Sequence, residues 1–293
     1  MMAQTWLILA LATTLFYGVS QVAQKKSMIV IPAFGVISLS IVVATPVSAV
    51  CLAPYFVNGE IWNYAPIVIA LGIAAAALGQ LGSYFYMEAM ERGSVSMVGS
   101  VVASYPIMVI VVAVLFFPET ATSVQISGVV LVTAAMIALS YMHGKGADSS
   151  SYLGRWFPLT IIAVVLYGLC SVFMKLALDE MPPLMFMGMY AFVIPPTVLG
   201  YYRYKGVRLK KILPTWSTSL IIGVIASEVA QLGFFTEVYS VDTGPASIVF
   251  PLVAASPVVV VVLAYQFLHE RMSRNEKILV ALVLVGIIMV SIV

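Results

Sequence analysis

Leu15-Phe16-Tyr17-Gly18-Val19-Ser20, running on to Lys25, is written a second time as Val165-Leu166-Tyr167-Gly168-Leu169-Cys170, running on to Lys175. The offset from Tyr17 to Tyr167 is 150 residues, and the echo does not stop there. Gln80, Gly93, Pro106 and Glu119 reappear in order as Gln231, Gly244, Pro257 and Glu270, each 151 residues later. Self-similarity at a nearly constant offset, here 150 to 151 residues, over most of a chain is the mark of an internal duplication.

Each copy is made of membrane-spanning material. Hydrophobic residues are 62% of the chain and charged ones 9%, with a mean hydropathy of +1.08. Soluble domains run near 45–50% apolar and about 25% charged. The apolar residues fall in blocks of the length a helix needs to cross about 30 Å of hydrocarbon. Between polar breaks the spans are predicted at 6–24, 29–57, 66–90, 95–117, 124–142, 157–177, 184–202, 216–241, 246–268 and 278–293. The alternating apolar and polar pattern of a membrane β-barrel is missing. The first segment lacks the basic start and cleavage site of a signal peptide and reads as a retained helix.

The fold expected is therefore an all-α membrane protein of ten transmembrane helices in two five-helix repeats, residues 1–142 and 156–293, joined by a loop at 143–155. Five is odd, so the second repeat must enter the membrane in the opposite sense to the first. Inverted repeats of this kind are typical of secondary transporters, whose sites lie near the bilayer midplane between the two halves. Prolines recur at matching depths, Pro46 with Pro196 and Pro106 with Pro257, where they would kink helices lining a cavity.

Basic residues prefer cytoplasmic loops. Thirteen of the fourteen lie in the connections after odd-numbered helices: Lys25, Lys26, Arg92, Lys145, Arg155, Arg203, Lys205, Arg208, Lys210, Lys211, Arg271, Arg274 and Lys277, leaving Lys175 alone on the other side. This split places both termini outside the cytoplasm. The stretch from Tyr202 to Lys211 is an aromatic and basic anchor at the membrane edge.

The run Tyr84-Phe85-Tyr86-Met87-Glu88-Ala89-Met90-Glu91-Arg92-Gly93-Ser94-Val95-Ser96 leads to Pro106 and closes at Phe117-Pro118-Glu119. Its second copy runs from Tyr239 through Gly244-Pro245-Ala246-Ser247 and Pro257 to Leu268-His269-Glu270. With the paired Tyr-Gly and lysine motifs, this ordered set resembles the drug/metabolite transporter superfamily, and within it the EamA-like proteins with ten helices. The resemblance covers essentially the whole chain. It implies alternating-access transport of small metabolites without ATP hydrolysis. Such proteins commonly keep both termini in the cytoplasm, the reverse of what the charge split favours here.

For the site, the expectation centres on Glu228, near the middle of the 216–241 span. A carboxylate at bilayer depth costs about 2.5–3.5 kcal/mol on insertion scales and is tolerated beside water, a partner or a substrate. On an ideal helix Gln231 and Phe235 share its face, while Glu237, nine residues on, points about 180° away. The repeat sets Gln80 and Tyr84 against Gln231 and Phe235. Tyr17 and Gln21 line one side of helix 1, with Gln24, and Tyr167 and Ser171 occupy the matching side of helix 6. Glu88 is a second-rank candidate one turn beyond Tyr84. Aromatic faces around a carboxylate suit ammonium or quaternary ammonium groups. Glutamines also serve as plain interhelical hydrogen-bonders, worth around 0.6 kcal/mol each. Lys25 and Lys175 could meet a substrate carboxylate, or simply snorkel to the interface.

The function expected is a secondary transporter of a small polar or cationic metabolite such as an amino acid, amine or quaternary ammonium compound, in the cell membrane, with proton coupling or exchange. The competing class is a non-transporting membrane protein, an enzyme subunit or assembly factor, on the same scaffold. A channel is disfavoured by the lack of a charged ring or filter-like loop. No phosphate-binding G-x-x-x-x-G-K-[ST] or metal-binding H-E-x-x-H occurs, and the only cysteines, Cys51 and Cys170, sit in apolar segments. No enzyme activity, cofactor, metal or nucleic-acid partner is expected. The partners are the lipid bilayer and a small-molecule substrate, and the chain is a monomer or homodimer.

Overall fold

The computed structural model describes residues 5–93, 95–109, 112, 122–145, 155–206, 218–267 and 273–291. Every long element among them is an α-helix. In chain order these are α1 (Thr5–Ser27), α2a (Ala33–Val42), α2b (Ala44–Val57), α3 (Pro66–Arg92), α4 (Val95–Val102), α5 (Ser123–Lys145), α6 (Trp156–Leu178), α7 (Pro183–Lys205), α8 (Thr218–Thr243), α9a (Ala246–Val253), α9b (Ser256–Phe267) and α10 (Arg274–Ser291). Among the described residues seven segments are long and apolar enough to cross a membrane, α2a with α2b and α9a with α9b each counting as one span. Ser94, Glu119, Arg208, Lys210, Lys211, Arg271 and the motif ends Phe117-Pro118 and Leu268-His269-Glu270 lie outside the described residues.

Local sequence sets the helix ends. Pro66 and Pro183 occupy first-turn positions of α3 and α7, where the fixed φ suits a helix and the missing N–H has no partner to lose. Gly206 closes α7 in the left-handed region, φ 65°, which a side chain would disfavour. Inside spans, proline does the opposite. The helix lapses at 103–105 ahead of Pro106 and at 254–255 ahead of Pro257, because each ring meets the carbonyl four residues back, Val102 or Val253. Val43 separates α2a from α2b three residues before Pro46, while α7 stays continuous through Pro195 and Pro196.

Packing is exchanged between the halves. The α3 helix lies along α6 as α1 lies along α8; α2b lies on α7 and α5 on α10. Swapping the halves returns the same set of pairs. Side chains repeat the rule at four places. A Cβ on Gly93 would sit 3.2 Å from Trp156, and one on Gly244 2.8 Å from Trp6. Gly82 would meet Tyr167 at 3.1 Å, and Gly233 would meet Tyr17 at 2.7 Å. Gly168 abuts Met108 as Gly18 abuts Val259, and Gly188 abuts Leu52 as Ser38 touches Tyr202. Every one of these pairs maps onto its mate by the 150 or 151 offset, so the two five-helix repeats are related by a pseudo-two-fold. With an odd number of spans in each, that axis lies in the membrane plane.

Small residues at these crossings let helix backbones approach closely, which is how membrane helices gain contact without a hydrophobic driving force. Faces turned outward stay apolar, as with Ile8 at 66% and Val50 at 72% exposure. In water such a surface would associate or aggregate; against lipid tails it is satisfied.

Candidate functional site

Between the halves lies a cavity of about 290 Å³. Its walls come from α1, α2, α3, α4, α6, α7, α8 and α9, and the two proline breaks open onto it through Val102, Ala103, Tyr105, Ala254, Ser256 and Pro257. Irregular backbone at membrane depth is tolerated where it is buried in protein or lines such a space. The α8 helix presents Ser227, Ala230, Gln231, Phe234 and Glu237, one stripe at helical spacing.

Of the residues expected from sequence, Tyr17, Gln21, Gln80, Tyr84, Tyr167 and Gln231 all line this cavity, as do Gln24 and Ser171. Gln80 Nε2 donates to the Tyr84 hydroxyl at 3.1 Å, and that hydroxyl meets Thr197 Oγ1 of α7 at 3.1 Å. Tyr167 donates to Ser83 Oγ at 3.1 Å, and Ser171 Oγ donates to the Tyr167 carbonyl at 2.8 Å. Gln21 Nε2 reaches Ser256 Oγ at 3.4 Å.

Three expected residues lie elsewhere, and Glu228 is the most consequential. It sits on the exposed face of α8, outside the cavity, and Glu237 occupies the inner face instead, 7% exposed. Nine residues at 100° each put the two glutamates on opposite faces, so only one can look inward. The rotation is decided by Gly233, whose missing side chain receives the Tyr17 ring and turns the position one turn later, Glu237, toward α1. There the Tyr17 hydroxyl donates to Glu237 Oε2. The same rotation carries Phe235 outward to 41% exposure, its ring 4.9 Å from Tyr239, and brings in Phe234, whose ring is 4.8 Å from Tyr190.

Glu88 is buried but serves an end of the bundle. Its carboxylate accepts from Tyr201 at 2.6 Å and pairs with Lys205 at 2.6 Å and Arg92 at 3.0 Å, tying α3 to α7. Lys25 Nζ donates to the carbonyls of Met90 at 2.5 Å and Gly93 at 2.9 Å, capping α3 where the helix dipole favours a cation. Lys175 pairs with Asp179 at 2.9 Å. Neither lysine is among the residues lining the cavity.

Sequence reasoning missed Glu237, Tyr86, Tyr105 and Tyr190, all in the cavity wall. For Glu237 and Tyr86 a signal existed. Gly82 and Gly233 are repeat mates, small residues mark packed helix faces, and each stands one turn before Tyr86 or Glu237. Tyr86 and Glu237 are thus equivalent positions, 151 residues apart.

Among the described lining residues the charged ones reduce to Glu237, enclosed by six tyrosines (17, 84, 86, 105, 167 and 190) and Phe234. The cavity lies at the interface of inverted repeats and is bounded by broken helices, as the sites of multi-pass membrane transporters are. The EamA-like transporter family matches residues 4–141 and again 154–292, and the chain belongs to it. An uncharacterized protein of Methanocaldococcus jannaschii, MJ1333.1, is 27% identical over 134 residues, which is 94% of that protein and 46% of this chain. That extent is close to one repeat. A crystal structure of another protein superposes with a TM-score of 0.72 at 15% identity, covering 98% of this chain and 96% of that one, a likeness of fold.

Proposed function

We propose that the chain is a secondary transporter of a small organic cation, an amine or quaternary ammonium compound, carried across the cell membrane by alternating access in exchange for protons. One observation carries this reading: among the described lining residues of this tyrosine-lined cavity, Glu237 is the one charged side chain. A carboxyl at membrane depth needs a positive partner, and either a proton or an ammonium group can supply it. Two ions competing for one group is the chemical basis of exchange. Ring faces around it add cation–π attraction of about 0.5–2 kcal/mol.

The same inventory argues against an amino acid. No lysine, arginine or histidine is found among the described lining residues, so a substrate carboxylate would enter without a countercharge. Burying an unpaired charge is costly. Alternating access is supported by the inverted repeats and by the helix breaks at Pro106 and Pro257, which meet the cavity from both halves.

The test is Glu237→Gln in purified protein reconstituted into sealed vesicles, with a panel of radiolabelled alkylamines and tetra-alkylammonium ions. Wild-type uptake should rise when the vesicle interior is made acidic. Glu237→Gln should lower uptake at least tenfold, about 1.4 kcal/mol of lost interaction, and remove the response to the proton gradient. Normal uptake with an unchanged pH response in the Gln variant would overturn the reading.

A further inference from the structure

Two polar atoms at this cavity have no hydrogen-bond partner among the described residues, Gln21 Oε1 and the Tyr86 hydroxyl. They come from different helices, α1 and α3, yet they converge. Both lie 3.6 Å from the point that a Cβ on Gly99 would occupy, and Pro257 Cγ of α9b closes the same spot at 3.6 Å. Gly99 belongs to α4, one turn ahead of the break at 103–105. The result is a notch in the cavity wall, floored by backbone and rimmed by an amide oxygen and a phenol. Tyr86 is 5% exposed, and its ring meets Tyr167 edge-on at 6.4 Å.

A buried polar atom without a partner is expensive, and nearly all such atoms in folded proteins are satisfied by something. What can satisfy these two is limited by their chemistry. An amide oxygen only accepts, whereas a phenol both donates and accepts. A hydroxyl group completes both, donating to Gln21 Oε1 and accepting from Tyr86. A carboxylate has no hydrogen to give to Gln21, and a methyl group offers nothing to either.

The notch is placed to act together with Glu237. Gln21 follows Tyr17 by one turn on α1, so the two positions are about 5–6 Å apart along the helix. Tyr17 holds Glu237, and Tyr86 is the repeat mate of Glu237. The pseudo-two-fold pairs Tyr17 and Glu237 with Tyr167 and Tyr86, so one pole of the cavity has a phenol and a carboxyl and the other two phenols, with Gln21 of α1 reaching the second pole beside Tyr86 at Gly99.

We propose that the cavity takes an amino alcohol, with its ammonium group at Glu237 and its hydroxyl group in the Gly99 notch between Gln21 and Tyr86. This rests on the cation reading above and narrows its substrate class.

The experiment measures binding to the purified full chain by calorimetry. The probes are two amino alcohols, ethanolamine and 3-amino-1-propanol, and the compounds in which methyl replaces hydroxyl, propylamine and butylamine. The wild type should bind at least one amino alcohol about tenfold more tightly than its methyl counterpart. Gly99→Ala is the cleanest variant, because its new methyl meets nothing closer than 3.6 Å and so fills the notch without a clash. Its melting temperature should match the wild type, and the hydroxyl preference should fall to near one. Tyr86→Phe and Gln21→Leu should each lower the same ratio several-fold. Equal binding of alcohol and methyl probes by the wild type, or a preference that survives all three variants, overturns the notch and leaves the cation reading standing. Failure of all four amines to bind the wild type overturns the amino-alcohol proposal, and failure of tetra-alkylammonium ions as well overturns the cation reading with it.

Discussion

Tyr17 and Glu237 meet across the α1–α8 contact only because Gly233 has no side chain. Adding one methyl there would place a Cβ 2.7 Å from the Tyr17 ring, inside any van der Waals distance. Gly233→Ala is therefore expected to cost about 1–3 kcal/mol as an overpacking change, and to displace the phenol from Glu237. The measurement is a pair of readings, melting temperature and alkylamine binding, and both should fall; a variant that keeps both would show the crossing to be more compliant than its geometry. Glu228→Gln makes the contrast. Its side chain is exposed on the far face of the same helix, so uptake, pH response and stability should stay at wild-type values. A loss of transport in Glu228→Gln comparable to that in Glu237→Gln would mean that α8 is rotated in the working protein.

The α3 and α7 helices are held at one end by Glu88, which gathers Tyr201, Lys205 and Arg92 around a side chain only 8% exposed. Arg92 is 38% exposed and adds little, because solvent screens it. The Tyr201 and Lys205 contacts are shorter and better sheltered, and charge-assisted bonds of this kind are about twice as strong as neutral ones. Glu88→Gln keeps the shape and removes the charge, at an expected cost of about 1–2 kcal/mol. The loss should be local. Hydrogen exchange at the C-terminal turns of α7 should quicken while amides near the middle of α3 and α7 keep their protection. Unchanged exchange at Tyr201–Lys205 would mean that apolar packing alone holds this end.

At the scale of the whole molecule, the same end of the bundle collects the charge. The Lys25 bonds to the end of α3, the Lys205–Glu88 pair, the Trp156 contact with Gly93 and the Ser27 hydroxyl bonded to the Ser219 carbonyl bring together the C-terminal ends of α1, α3 and α7 and the N-terminal ends of α6 and α8. Lys26, Arg155 and Arg203 sit at these same ends, whereas Lys175 lies at the opposite one. The basic end is expected to face the cytoplasm, with both chain termini outside. Cysteines introduced near Arg203 should resist a membrane-impermeant thiol reagent in intact cells, and cysteines at the termini should react. The reverse labelling pattern would show that this chain inserts the other way.

The order of spans, the duplication and hence the inverted pairing were readable from one dimension, because span length and self-similarity are properties of the string. Tyr17, Gln21, Gln80 and Tyr167 could be placed on facing helices for the same reason: the repeat put them at matched positions. The proline breaks at 103–105 and 254–255 were foreseeable from Pro106 and Pro257, since the clash they create is local. Rotation of a helix about its own axis is a different kind of fact. A span bordered by lipid on one side and apolar neighbours on the other carries little contrast between its faces, so the period-3.6 pattern that orients a soluble helix is weak. Which glutamate of α8 looked inward was settled by a ring from α1 entering the gap at Gly233. Likewise Gln21 and Tyr86 stand 65 residues apart, and nothing in either segment announces the other. Only the packing of α1 and α3 against α4 brought their unpaired atoms to one notch, because that convergence depends on three helix rotations at once.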